Sequence, residues 1–293
     1  MEKTGHYYKA LEQYLLELDI SVYIMHVQER PKGMLKTDKR DALILANHLY
    51  NQLEKGIQVA DKTQLVRRAV PPSGAAAQLK GLTRHRYELM QESTQRKNKL
   101  IAICDELFPE FTTILKNPTL PSALSIREKF PTPQALAIAT ITALCEARVG
   151  TRPSKENLMR LQQLAAQSIG TKDVNRQRGL ILEQKQMMKE LKLLQEHLEE
   201  LDTEICHIVE HSREGQILLS MQVIGPIQAA TIISAIGHID NFASAAALKS
   251  YFGWAPKREQ TGISPENRIL LLLMPEICDF HPLPCPTRTS RFL

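Results

Sequence analysis

Apolar side chains at Ala10, Leu11, Tyr14, Leu15 and Leu18 recur at helical spacing, which predicts an amphipathic helix from about Thr4 to Leu18. The period then changes. Ile20-Ser21-Val22-Tyr23-Ile24-Met25-His26-Val27 is β-branched and apolar, and predicts a buried strand. Pro31 and Gly33 mark a loop, after which Leu43, Ile44, Leu45 and Leu49 restore a helical pattern from Thr37 to about Leu53. Helix–strand–helix order belongs to an α/β unit with a parallel strand. With one clear strand in this stretch, the sheet is expected to be incomplete.

The rest of the chain reads as helical. Pro71-Pro72-Ser73-Gly74 precedes a predicted helix from about Ala75 to Phe108. Six prolines between residues 109 and 155 predict short helices and loops. Met187, Leu191, Leu194, Leu198, Leu201, Ile205 and Ile208 are spaced 4-3-4-3-4-3, a heptad seam flanked by Lys, Gln and Glu. Such a seam pairs with another helix, in a second subunit or folded back from the same chain. Gly225-Pro226 opens a further helix that closes at Gly237.

Composition adds bounds. The 293 residues suffice for two domains; 43% are hydrophobic and 24% charged, while aromatics make up 5%, so Leu, Ile and Ala must fill the cores. Apolar runs such as Ile269–Met274 are far too short to span a bilayer. Met1-Glu2-Lys3 opens no export signal, and Cys104, Cys145, Cys206, Cys278 and Cys285 are scattered like reduced thiols, so a cytoplasmic protein is expected. The net charge of +5 matters less than its distribution. From Lys62 to Lys99 nine Lys or Arg face only Glu88 and Glu92, a local excess of +7 that points to nucleic acid, or to a solvated helix face.

Asp38 and Asp41 stand three apart near a predicted helix start and share one face. Two carboxylates so placed repel unless a cation bridges them, and Mg²⁺ takes such oxygens in phosphodiester cleavage. The plainer alternative is an acidic helix start ion-paired by Lys36, Lys39 and Arg40. Glu2 precedes Gly5, where the chain could turn tightly. The Gly225-Pro226 turn would present free N–H groups to phosphate in the manner of a helix-hairpin-helix module, or merely start a buried helix. Downstream, Tyr251 to Gly262 holds the only Trp, Trp254, then the basic pair Lys257-Arg258.

Taken in order, these segments resemble the DEDD transposases of insertion sequences, the IS110 family, related to the Piv-type DNA invertases. Glu2-Lys3-Thr4-Gly5-His6-Tyr7 resembles the family's E-x-T-G-H-Y segment, and Lys36-Thr37-Asp38-Lys39-Arg40-Asp41-Ala42 its K-x-D-x-x-D-A segment. Leu82-Thr83-Arg84-His85-Arg86 fits the basic helix that follows the nuclease domain. Ile224 to Gly262 is similar to the C-terminal transposase domain, including its G-x-x-P-x-x-x-Q-x-G stretch.

The resemblance implies a mainly α protein with a partial α/β, RuvC/RNase H-like unit over 1–60. A basic and coiled-coil region over 61–215 and a small helical C-terminal domain over 216–264, with its helix-hairpin-helix-like motif, complete the expected layout. It implies a Mg²⁺-binding Asp-Glu-Asp-Asp tetrad, of which Glu2, Asp38 and Asp41 match the last three members; the first Asp is expected upstream of Glu2. A serine nucleophile in the C-terminal domain falls near Thr261, with Ser264 as the alternative. Nucleic-acid contacts are expected from Arg67, Arg68, Lys80, Arg84, Arg86, Arg96, Lys97, Gly225, Lys257 and Arg258. Implied partners are DNA, an element-encoded guide RNA and further copies of the chain through the heptad helix. Beyond Ser264 the match ends; Pro265, Pro275, Pro282, Pro284 and Pro286 break up the remainder, and 265–293 is expected to be a non-native tail. The expected function is strand cleavage and rejoining in transposition, with little activity from a fragment cut at both ends. The alternative is a non-catalytic DNA- or RNA-binding remnant.

Overall fold

The computed structural model describes residues 6–25, 38–54, 66–70, 72–252, 259–261 and 264–266. It is mainly helical, and its contacts divide the chain into two compact units, one built on residues up to Ser73 with Gly237–Ala245 and the other on Gly74–Ile236 and the residues from Ala246 onward.

In the first unit, α1 (Tyr7–Glu17) leads into β1 (Tyr23–Met25), α2 (Asp38–Leu53) and β2 (Val66–Arg68). A 3₁₀ turn at Ile239–Asn241 joins it. The strand expected around Tyr23 exists, but its pairing corrects the expected parallel arrangement. β1 and β2 run antiparallel, with Tyr23 opposite Arg68 and Met25 opposite Val66. The Ala69 N–H extends the pairing by donating to the Val22 carbonyl at 2.7 Å. Two arginines hid the strand signal of β2 inside a stretch read for its charge. Val22 and Ala69 are the buried apolar residues among those described in this unit, whereas Leu11, Tyr14, Leu18 and Leu43 are each about half exposed or more.

The second unit is organised by two long helices, α3 (Gly74–Leu107) and, later in the chain, α9 (Val174–His211). Between them run α4 (Phe111–Ile114), α5 (Pro121–Lys129), α6 (Pro133–Ala137), α7 (Ile141–Ala147) and α8 (Lys155–Ala166). The prolines explain the short lengths constructively. Pro121 and Pro133 occupy first helical positions, where the missing N–H costs nothing, and Thr132, Thr140 and Ser154 accept from backbone N–H groups as N-caps. Phe108, Phe111, Ile126, Leu136, Leu144, Leu158 and Leu161 close one core there.

The heptad seam finds its partner within the chain. Leu194 and Leu198 pack on Leu89, Ile205 and Val209 on Ala76 and Leu79, and Leu180 on Ile103 and Leu107, so α3 and α9 run antiparallel. Of the two partners open to the seam, α3 of the same chain packs along it. α10 (Arg213–Leu219) and α11 (Pro226–Ile236) pack against α9, and Ala229, Ala230 and Ile233 complete the core at that end. α11 stops at Gly237, whose φ of 70° suits a residue without Cβ. α12 (Ala245–Tyr251) and the hairpin of β3 (Glu259–Thr261) and β4 (Ser264–Glu266) follow.

Arg127 locks the second unit from inside. It is 4% exposed, and neutral oxygens accept from its guanidinium. Its Nε and Nη2 donate to Gln184 Oε1 on α9, Nη2 also to the Leu100 carbonyl of α3 at 2.9 Å, and Nη1 to the Pro118 carbonyl at 3.1 Å. Gln184 Nε2 returns a bond to the Arg127 carbonyl. One guanidinium thus ties three segments together, using the fixed fork of its donors. Nearby, burial pushes the Cys104 thiol up to about 11, which makes it an inert packing residue.

Candidate functional site

Asp38 is the first residue of α2 and Asp41 lies one turn on. Asp38 is exposed and Asp41 half-buried. Both sit where the helix dipole is positive, so the negative charges are favoured by the backbone itself. Their oxygens are hard donors one turn apart, the chemistry that a Mg²⁺ ion takes. Among the described residues no group of three or more His, Cys, Asp or Glu converges on a metal position. Glu2 lies outside the described residues.

The two candidate hydroxyls, Thr261 and Ser264, are cross-strand partners at the closed end of the β3–β4 hairpin. Their Cα positions face each other, so the two alternatives occupy neighbouring points of one strand pair. The structure therefore brings Asp38 and Asp41 together, and separately Thr261 and Ser264. The first pair belongs to the first unit and the second pair to the second unit.

The basic residues fall into two groups. Arg86 is 5% exposed and its Nε and Nη2 both bond the Asp202 carboxylate on α9. This corrects its expected place on a nucleic-acid surface: its charge is spent on packing α3 against α9. Arg96 pairs with Glu190, and the neighbouring Lys99 with Glu183, also across α3 and α9. By contrast Lys80, Arg84 and Lys97 are exposed on α3. Arg68 is exposed on β2 and reaches Ser21 Oγ at 3.4 Å, beside Arg67 in the same strand. Lys257 and Arg258 lie outside the described residues.

Counting charge along α3 alone overlooked Asp202, Glu190 and Glu183, which arrive from about a hundred residues away. The signal was present in the acids that flank the heptad seam, but only a known partner helix gives it meaning.

Gly225 also departs from expectation. Its N–H donates to Gln228 Oε1 at 3.1 Å, one half of a capping box, in which the residue three positions on reaches back to the helix start. That N–H is engaged within the chain instead of open to a phosphate. Among the described residues, no helix is long and apolar enough to cross a membrane.

Two family models match the chain. One, a DEDD insertion-sequence model described as a transposase, matches residues 1–109 and covers α1, α2 and α3. Another, described as the transposase IS116/IS110/IS902 family, matches residues 215–270 and covers α11, α12 and the β3–β4 hairpin. The two matches together span more than half of the chain and agree on its class, a transposase. The chain belongs to the IS110 family of insertion-sequence transposases. Family membership makes DNA its partner and implies a divalent metal in its chemistry. No curated protein matches it. Residues 110–214, with α4–α8 and the whole of α9, lie between the two matches.

Proposed function

We propose that this transposase cuts and rejoins DNA strands with Mg²⁺ held by Asp38 and Asp41, joined by Glu2, and with the hydroxyl of Thr261 or Ser264 as nucleophile. The placement of Asp38 and Asp41, one turn apart at the start of α2 within the segment matched as a DEDD transposase, carries this reading. Paired carboxylates would concentrate the metal where it polarises a phosphodiester and stabilises the leaving oxygen. In this reading residues 1–60 form the RuvC-like nuclease domain and 216–264 the C-terminal transposase domain, with 61–215 as the helical region between.

DNA lies along Arg67, Arg68, Lys80, Arg84 and Lys97, with Lys257 and Arg258 contributing from the C-terminal domain. These contacts go to phosphates and position without reading sequence. The turn before α11 approaches the backbone in helix-hairpin-helix fashion through its remaining N–H groups. The protein works in the cytoplasm, as an oligomer, with target choice assisted by an element-encoded RNA.

A second reading draws on the basic side chains of Lys80, Arg84 and Lys97 exposed on α3. It makes the chain a non-catalytic nucleic-acid binder. Nicking of element-end DNA in Mg²⁺ separates the two. The nuclease reading expects cleavage that disappears in Asp38→Ala while filter binding persists; binding without any cleavage by the parent chain selects the second.

A further inference from the structure

The final turns of α9 hold chemistry that strand cleavage does not use. His207 and His211 are four residues apart and both exposed, with ring centroids 4.2 Å apart. Residues at this spacing share one helix face. Ile205 and Val209, buried against α3, point the other way. His211 Nδ1 lies 2.8 Å from the His207 carbonyl oxygen. A carbonyl oxygen can only accept, so in the neutral ring Nδ1 carries the proton and Nε2 the free lone pair. Metal-binding histidines are set in this way, one ring N–H given to a backbone carbonyl and the other nitrogen left as ligand.

The stretch that carries the pair is acidic, with Arg213 just beyond it. Between Leu193 and Ser212 the chain carries Glu196, Glu199, Glu200, Asp202, Glu204 and Glu210 but no Lys or Arg. Arg86 takes up Asp202, while the five glutamates are exposed. The carbonyl ends of α9 add negative partial charge at its last turn, where His211 stands. The order His207-Ile208-Val209-Glu210-His211 also matches the H-x-x-E-H spacing by which some zinc-binding helices present two imidazoles.

We propose that His207 and His211 form a two-imidazole site for a borderline divalent ion of the Zn²⁺, Ni²⁺ or Cu²⁺ kind. Imidazole nitrogen suits these ions, whereas Mg²⁺ keeps to oxygen. Among the described residues no third metal-type side chain converges on the pair, so water fills the remaining positions. The site is open and exchangeable, unlike a closed four-ligand structural zinc site. It is separate in donor chemistry from Asp38 and Asp41 and would act alongside them.

Calorimetric titration of the full chain with Ni²⁺ in excess Mg²⁺ tests this, with thermal melting alongside. The parent chain is expected to bind Ni²⁺ and to melt at higher temperature in its presence. His207→Ala and His211→Ala, both at exposed positions, should each weaken binding by about tenfold or more and abolish the shift in melting. His85→Ala, on α3 beside Glu88, should leave both unchanged. Unaltered circular dichroism verifies that the variants fold. Ni²⁺ binding that survives both variants, or no binding by the parent, overturns the proposal.

Discussion

The helical unit and the N-terminal unit use similar residues to different effect. In the helical unit Leu79, Leu100, Phe111, Ile126, Leu158 and Ile205 are fully buried. In the N-terminal unit the described leucines and tyrosines of α1 and α2 are partly or largely exposed, and burial falls to Val22 and Ala69. Burying one large aliphatic side chain is worth about 1.5–3 kcal/mol. The helical unit is therefore cemented by its own apolar interior. The described part of the unit that carries Asp38 and Asp41 relies mainly on a short antiparallel pairing. Amphipathic periodicity was equally plain in both. What separates them is whether a partner face arrives.

Substitutions can break this contrast at several levels. Arg127→Ala should have the largest effect, about 4 kcal/mol, because it leaves Gln184 Oε1 and the Leu100 and Pro118 carbonyls without their donor inside the core. Urea denaturation followed by circular dichroism would read it. Leu79→Ala, at 0% exposure between α3, α9 and α11, should cost about 3 kcal/mol in the same assay.

A smaller effect is expected at Glu110. Burial pushes its carboxyl up, but the Ile169 N–H and Ser168 hydroxyl that it accepts outweigh this, leaving its pKa below the ordinary 4.5. A folded value below the unfolded one means stability that is present above about pH 4.5 and lost as pH falls through the folded value. Glu110→Gln should cost about 1 kcal/mol at neutral pH and flatten the acid side of the stability profile. Melting temperature measured from pH 7 to pH 3 checks both the size and the sign. Smallest of all should be Leu43→Ala, at 62% exposure on α2, with less than about 0.5 kcal/mol. A loss comparable to that at Leu79 would show that α2 is covered after all, and would erase the contrast.

Local rules made the helices legible. The starts of α2, α3 and α11 fall within a residue of the expected Thr37, Ala75 and Pro226, because caps, glycines and prolines act on their immediate neighbours. Partners were not legible. The seam on α9 said that a helix would fill it, and only the fold said that the helix is α3. The antiparallel β2 was hidden because Arg67 and Arg68 read as charge. Arg86 looked like a phosphate ligand until Asp202 came opposite it. In the candidate site, Asp38 and Asp41 could be paired from spacing, whereas the facing of Thr261 and Ser264 depends on an antiparallel register that composition does not specify.

The internal seam between α3 and α9 also changes what dilution can do. A heptad helix that meets a second copy obeys mass action, and its melting temperature falls as the protein is diluted. Here both halves belong to one covalent chain, joined through residues 108–173, so each finds the other at a fixed local concentration. Their association is first-order. A transposase made in a few copies per cell keeps this two-helix strut, about 50 Å long at 1.5 Å per residue, as intact as one made in thousands.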